Sequence, residues 1–186
     1  MVTAETAKRL LAFHGEVRPQ PLADWIGSFV IPSAIERYYR EVGPANITIE
    51  THGNPYFLPC LADLWKFQTG YRWNGLSGEP IDDWNDDWLV VADDGGDPFI
   101  FERTSGAVLH ALHGAGEWDA GVIFPDLNTM AACLAQLGAI VAEAGDAYME
   151  EDCSIRPEFR ERASALLQKL LGPRLDAEAV LGTLGW

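Results

Sequence analysis

Between Trp88 and Leu112 the chain carries three short apolar runs separated by very tight turns, and no other segment limits the fold as much. Trp88-Leu89-Val90-Val91-Ala92 comes first. Asp93-Asp94-Gly95-Gly96-Asp97 follows with turn chemistry: the glycines permit positive φ, and the aspartates bond nearby backbone N–H groups. Pro98-Phe99-Ile100-Phe101 is the second run, Thr104-Ser105-Gly106 a second turn, and Ala107 to Leu112 the third run. Strands joined by such short connections pair antiparallel, so a meander over about 88–112 is expected. Gly95, Gly96 and Asp97 are read as a structural turn. The clustered aspartates suit a hard cation, but they lack the spacing of a calcium loop and its glutamate at the twelfth position.

Around this segment the apolar period changes to that of helices. Thr3 to His14 puts Ala7, Leu10, Leu11 and His14 on one face. Leu22 to Phe29 reads as a short helix after Pro19 and Pro21. Pro32 is placed as the first residue of a helix, with Ile35, Tyr38, Tyr39 and Val42 as its stripe and Gly43-Pro44 as its end. Ile47 and Ile49 alternate with polar neighbours, as in a half-buried strand. Pro59 to Gln68 is expected to be helical, and Trp73 to Asp87 an exposed loop with Trp84 pinned somewhere. Leu127 to Ala144 is the strongest helix, capped by Asp126 or Asn128. Pro157 to Leu171 and a short segment after Asp176 complete the pattern. The fold class is α+β. Residues 1–145 form one domain, and 146–186 form a helical extension, packed on that domain or reaching from it to a partner.

With 186 residues, 48% of them hydrophobic, the chain buries a core without staples. The N-terminus lacks a basic stretch followed by an apolar one, and no run approaches a membrane span, so a soluble cytoplasmic protein is expected. Cys60, Cys133 and Cys153 are odd in number and far apart, which excludes a readable disulfide framework. Cys60 and Cys133 have apolar neighbours and read as small buried hydrophobes.

The net charge of −15 is unevenly placed. From Trp73 to Ile155 there are 17 acidic residues and one basic residue, Arg103, whereas the flanks hold 12 basic and 11 acidic residues. Such a field repels nucleic acid and anionic lipid and favours a basic protein partner. Solubility alone is the plain alternative.

Motifs for chemistry are scarce. His110 and His113 have a His-x-x-His spacing, but in a strand residues three apart point to opposite faces, and no third ligand lies nearby. No Gly-x-Ser-x-Gly elbow and no phosphate loop occurs. Neither a metal nor an organic cofactor is expected, and no catalytic residue is assigned. What remains is Asp82, Asp83, Trp84, Asp86, Asp87 and Trp88, with Glu117-Trp118-Asp119 repeating the theme. An aromatic anchor ringed by charge is how many interfaces are built, so Asp82, Asp83, Trp84, Asp86, Asp87, Glu117, Trp118 and Asp119 are the candidate partner-binding residues. Core tryptophans at loop ends would leave the same trace in the sequence.

The order of these elements resembles the SUKH superfamily of Smi/Knr-like proteins. The resemblance rests on Ile31-Pro32 opening a helix through Tyr38-Tyr39 to Gly43, and on Trp88 to Ala92 followed by Gly95-Gly96-Asp97-Pro98-Phe99-Ile100-Phe101. Gly106-x-Val108, Trp118 and the helix from Leu127 complete it, over about residues 30–144. It implies an antiparallel sheet backed by helices and no catalysis. It also implies a role like that of bacterial immunity proteins, which bind and neutralise toxins, often nucleases. The leading expectation is an immunity-type protein that masks the active surface of a basic toxin. An intracellular scaffold or regulator is the alternative, and a small hydrolase using the aspartates with His110 or His113 is a third.

Overall fold

A computed structural model describes residues 1–114 and 117–186. Its centre is a six-stranded sheet in sequential order, every neighbouring pair antiparallel. The strands are β1 (Ile47–Ile49), β2 (Tyr56–Leu58), β3 (Trp88–Asp94), β4 (Asp97–Glu102), β5 (Val108–His110) and β6 (Gly121–Phe124). The helices are α1 (Ala4–Leu11), α2 (Ser33–Glu41), α3 (Leu61–Leu64), α4 (Leu127–Ala144), α5 (Pro157–Leu171) and α6 (Ala177–Thr183). The class is therefore α+β, with a C-terminal helical part.

The expected meander is the middle of this sheet. Asp94 pairs with Asp97 across a two-residue turn in which Gly95 and Gly96 have φ of 61° and 108°. Two successive positive φ angles match the strand twist, which is why glycines stand there. The sheet extends beyond the expected segment on both sides. β2 (Tyr56-Phe57-Leu58) and β6 (Gly121-Val122-Ile123-Phe124) have no polar residue alternating with apolar ones, so the sequence carries no strand pattern there.

Helix boundaries differ from expectation for local reasons. Thr3 Oγ1 accepts from Thr6 N–H and starts α1, but beyond Leu11 the chain tightens into i→i+3 bonds, Phe13 to Leu10 and His14 to Leu11. Only Leu22–Asp24 of the expected 22–29 helix forms, as one 3₁₀ turn. Pro32 is the N-cap, not the first helical residue: its ψ of 138° is extended. The 59–68 segment divides into α3 and a 3₁₀ turn at Lys66–Gln68. Asp126 Oδ1 caps α4 by accepting from Thr129 N–H at 2.8 Å.

Both sheet faces are covered. On one face Leu89, Val91, Phe99, Phe101, Val108 and Phe124 pack with α1, α2 and α4. The same core includes Ala163, Leu167, Val180, Leu181 and Trp186, so α5 and α6 are built into it. The stretch Leu127–Tyr148 has the length and composition of a membrane span, and the fold places most of it in this core. Cys133 is fully buried there. Cys60 is only half-buried, with its Sγ 3.2 Å from Asp63 Oδ2. On the opposite face Val90, Ile100, Leu109 and Ala111 lie under Phe67, Tyr71, Ile81, Trp84, Trp88 and Trp118.

Candidate functional site

That second face is where the acidic segments meet. The 69–87 loop folds back over the sheet, and the 117–120 segment comes down beside it. Trp84 and Trp118 touch edge to face with centroids 5.7 Å apart, and Tyr71 lies 5.8 Å from Trp84 and 5.7 Å from Trp118. Trp88 adds a fourth ring, 5.4 Å from Trp84. The aromatic cluster is the floor that holds two acidic segments together.

Burial sorts the candidate residues. Asp82, Asp83, Asp86, Glu117 and Asp119 are exposed, Asp87 and Trp118 half-buried. Trp84 is 7% exposed, so it is a core residue of this face and not an accessible anchor. Of the two readings the sequence leaves open for Trp84, interface anchor or core, the core one holds, and its place among the candidate partner-binding residues is corrected: the ring shapes the loop from beneath, because the outer sheet face would otherwise expose Val90, Ile100 and Leu109.

The aspartates also differ in what balances them. Arg72, with only 14% of its side chain exposed, donates to Asp86 Oδ1 at 3.0 Å, to the Asp86 carbonyl at 2.8 Å and to the Trp88 carbonyl at 2.6 Å. Burial lowers its pKa and Asp86 raises it again. Arg103 lies 3.8 Å from Asp87 and sits over the Phe29 ring at 4.6 Å. Asp86 and Asp87 are thus balanced locally. Asp82, Asp83, Glu117 and Asp119 have no ion-pair partner among the described residues. A groove of about 290 Å³ runs between the two segments, with Asp83 and Glu117 on its rim and Ile81, Leu112 and Trp118 along its walls.

Arg72 and Gln68 went unremarked in the sequence. The Gln68 side chain is wholly buried and bonds Leu64 O, Val90 O and Val90 N–H, which ties the start of the loop to β3. A polar residue inside an apolar period, at the end of the expected 59–68 helix, was the available signal.

Nearby, the β3–β4 turn carries more than turn geometry. Asp97 Oδ1 accepts from the His113 backbone N–H and lies 2.6 Å from His113 Nδ1. Tyr71 OH lies 3.2 Å from Gly96 O and 3.4 Å from Asp93 Oδ2. Burial, with Asp97 and Asp93 beside it, pushes Asp94 up to about 6. His110 faces Phe99 inside the sheet while His113 lies in the following turn, so the two histidines do not converge. Among the described residues no three His, Cys, Asp or Glu side chains gather as a metal site would require. Burial pushes the Cys60 and Cys133 thiols upward, away from the thiolate form.

An antiparallel six-stranded sheet with helices on one face and an aromatic-floored acidic loop on the other defines the class of this domain. Comparison with family models, with curated proteins and with solved structures finds no match.

Proposed function

We propose that this chain is a non-catalytic binding protein whose acidic face receives a basic protein, in the manner of an immunity protein that masks a toxin's active surface. The observation that carries this reading is that Asp83 and Glu117, from the two acidic segments, line one groove beside Ile81 and Trp118, while Arg72 and Arg103 are engaged by Asp86 and Asp87. A rigid base under unbalanced carboxylates keeps like charges together that would separate on a free loop. Such a field steers an oppositely charged partner and raises association rates roughly 10- to 1,000-fold at low salt. The resemblance of residues 30–144 to Smi/Knr-like proteins adds the toxin-neutralising form of the reading.

The test is co-purification with the product of the adjacent reading frame, followed by association kinetics at low and physiological salt. Asp82→Asn with Asp83→Asn and Glu117→Gln should slow association at low salt and leave the melting temperature unchanged. Association indifferent to salt and to these substitutions would overturn the reading. Binding without protection of a toxin-expressing host would point to a scaffold or regulator.

A further inference from the structure

Past Ile81 the acidic groove adjoins a second groove on the same face, of about 270 Å³, and Ile81 lines both. Trp65 and Trp73 stand in the second groove with ring centroids 4.9 Å apart and planes at 45°. Trp73 pairs with Pro80 across the loop, which brings the proline into the same lining. Ser28, Gly78 and Pro80 on its banks are exposed and both tryptophans are only half-buried, so the groove is open to solvent. The segments that form the banks also expose Ile26, Val30 and Leu76. Large apolar side chains exposed around an aromatic groove mark a surface that another chain covers.

The polar atoms indicate what kind of chain. In this aromatic cluster Trp25 donates its indole N–H to the Phe29 carbonyl at 2.9 Å. Trp65 and Trp73 donate theirs to no atom among the described residues, and neither nitrogen is shut off from solvent. The neighbouring acceptors are in use, since Arg72 donates to Asp86 Oδ1 at 3.0 Å and to the Asp86 carbonyl at 2.8 Å. Flat apolar walls with free N–H donors and occupied acceptors suit a guest that brings rings and carbonyls but few N–H groups. A proline-rich extended segment has that chemistry: proline lacks the N–H, and the polyproline II backbone makes no internal hydrogen bonds. Aromatic-lined grooves dock such segments.

Beyond Ile81 the same segment meets Asp83, Glu117 and the half-buried ring of Trp118. Carboxylates beside an indole suit a guanidinium, which pairs with the first and stacks on the second. A second copy of this chain, with its own net charge of −15, is repelled from that place. We propose that the two grooves form one cleft for an extended, proline-bearing segment of the basic partner, its prolines against Trp65 and Trp73 and a flanking arginine at Asp83 and Glu117. This rests on the binding role proposed above and names the part of the partner that the face takes.

The test uses the blocked peptide acetyl-Arg-Ala-Pro-Ala-Pro-Pro-Ala-Arg-amide, with an arginine at each end so that either chain direction reaches the carboxylates. One counterpart has alanine for every proline, and another has citrulline, of nearly the same shape without the charge, for both arginines. Binding is followed by NMR of the indole N–H groups in the full chain. The first peptide should move the Trp65 and Trp73 resonances saturably, and the alanine peptide should not. The citrulline peptide should bind about tenfold more weakly, the effect of losing a charge-assisted contact. Asp83→Asn with Glu117→Gln should bring the first peptide down to the citrulline level. Ser28→Trp fills the groove from an exposed position and should abolish binding with the melting temperature unchanged. Equal binding of the proline and alanine peptides, equal binding of the arginine and citrulline peptides, or binding that survives Ser28→Trp would overturn the proposal. Salt-dependent partner association that needs Asp83 and Glu117 but ignores Ser28→Trp would sink the proline groove alone. Peptide binding as expected without any salt-dependent partner association would sink the acidic-face reading alone.

Discussion

Trp84 and Trp118 meet edge to face at 88°, with ring centroids 5.7 Å apart, and this contact holds the 69–87 loop against the segment that leads into β6. Edge-to-face pairs contribute beyond their area burial, on the order of 0.5–1.5 kcal/mol. The two rings differ in depth, which separates the consequences of removing them. Trp84→Ala empties a buried site and should cost about 3 kcal/mol or more in unfolding free energy. Trp118→Ala removes a half-buried ring and should cost less, on the order of 1–2 kcal/mol. Urea unfolding of both variants checks the order. Equal losses would contradict the burial assigned to Trp84.

Arg72 should matter more to the loop than the carboxylate it pairs with. Asp86 has 99% of its side chain exposed, so Asp86→Asn should change stability by no more than about 1 kcal/mol. Arg72→Ala leaves two backbone carbonyls without their donor and should cost about 2–3 kcal/mol. Hydrogen exchange in residues 73–88 should rise in the second variant and not in the first.

Asp94 makes stability depend on pH in a defined direction. Its folded pKa is raised to about 6, above the ~3.9 of an unfolded chain. Between those values the native state binds the extra proton, so stability is greatest near the lower value and declines as pH rises through 6. The group is only half-buried, so solvent screening limits the loss to on the order of 1 kcal/mol. Asp94→Asn should remove this part of the decline and stabilise the protein at neutral pH. Urea midpoints across pH 4 to 7 (~3.9 to ~7 spans the expected change) check it. A variant with the same pH slope as the parent would refute the assignment.

Gly138 lies in the middle of α4, where helix propensity alone favours alanine by about 1 kcal/mol. A Cβ there would sit 2.1 Å from Ile49 Cγ2 and 3.0 Å from the Glu50 carbonyl, because α4 crosses β1 at that point. Gly138→Ala should therefore destabilise the protein, by about 1–3 kcal/mol for an overpacked site. Thermal melting measures the sign, and a higher melting temperature would show that α4 can move away from β1.

What the chain's order of residues determined by itself was local. The Gly95-Gly96 turn, the capping of α4 near Asp126 and the stripe Ile35, Tyr38, Tyr39 and Val42 follow from φ preference, hydrogen bonding and period. These forces act within a few residues, so they are legible in the sequence. The acidic, tryptophan-bearing segments were legible as composition, but their geometry was not. Whether Trp84 faced solvent or core depended on which sheet face lacked a cover, and that followed from the whole six-stranded order. The short strands β2 and β6 owe their existence to neighbours across the ladder, since Tyr56-Phe57-Leu58 and Gly121-Val122-Ile123-Phe124 show no polar–apolar alternation of their own. Arg72 and Gln68 became structural only when loop and strand were brought together. Pairing across a sheet joins residues far apart in the chain, and such contacts are decided by packing and register, which only the tertiary structure supplies.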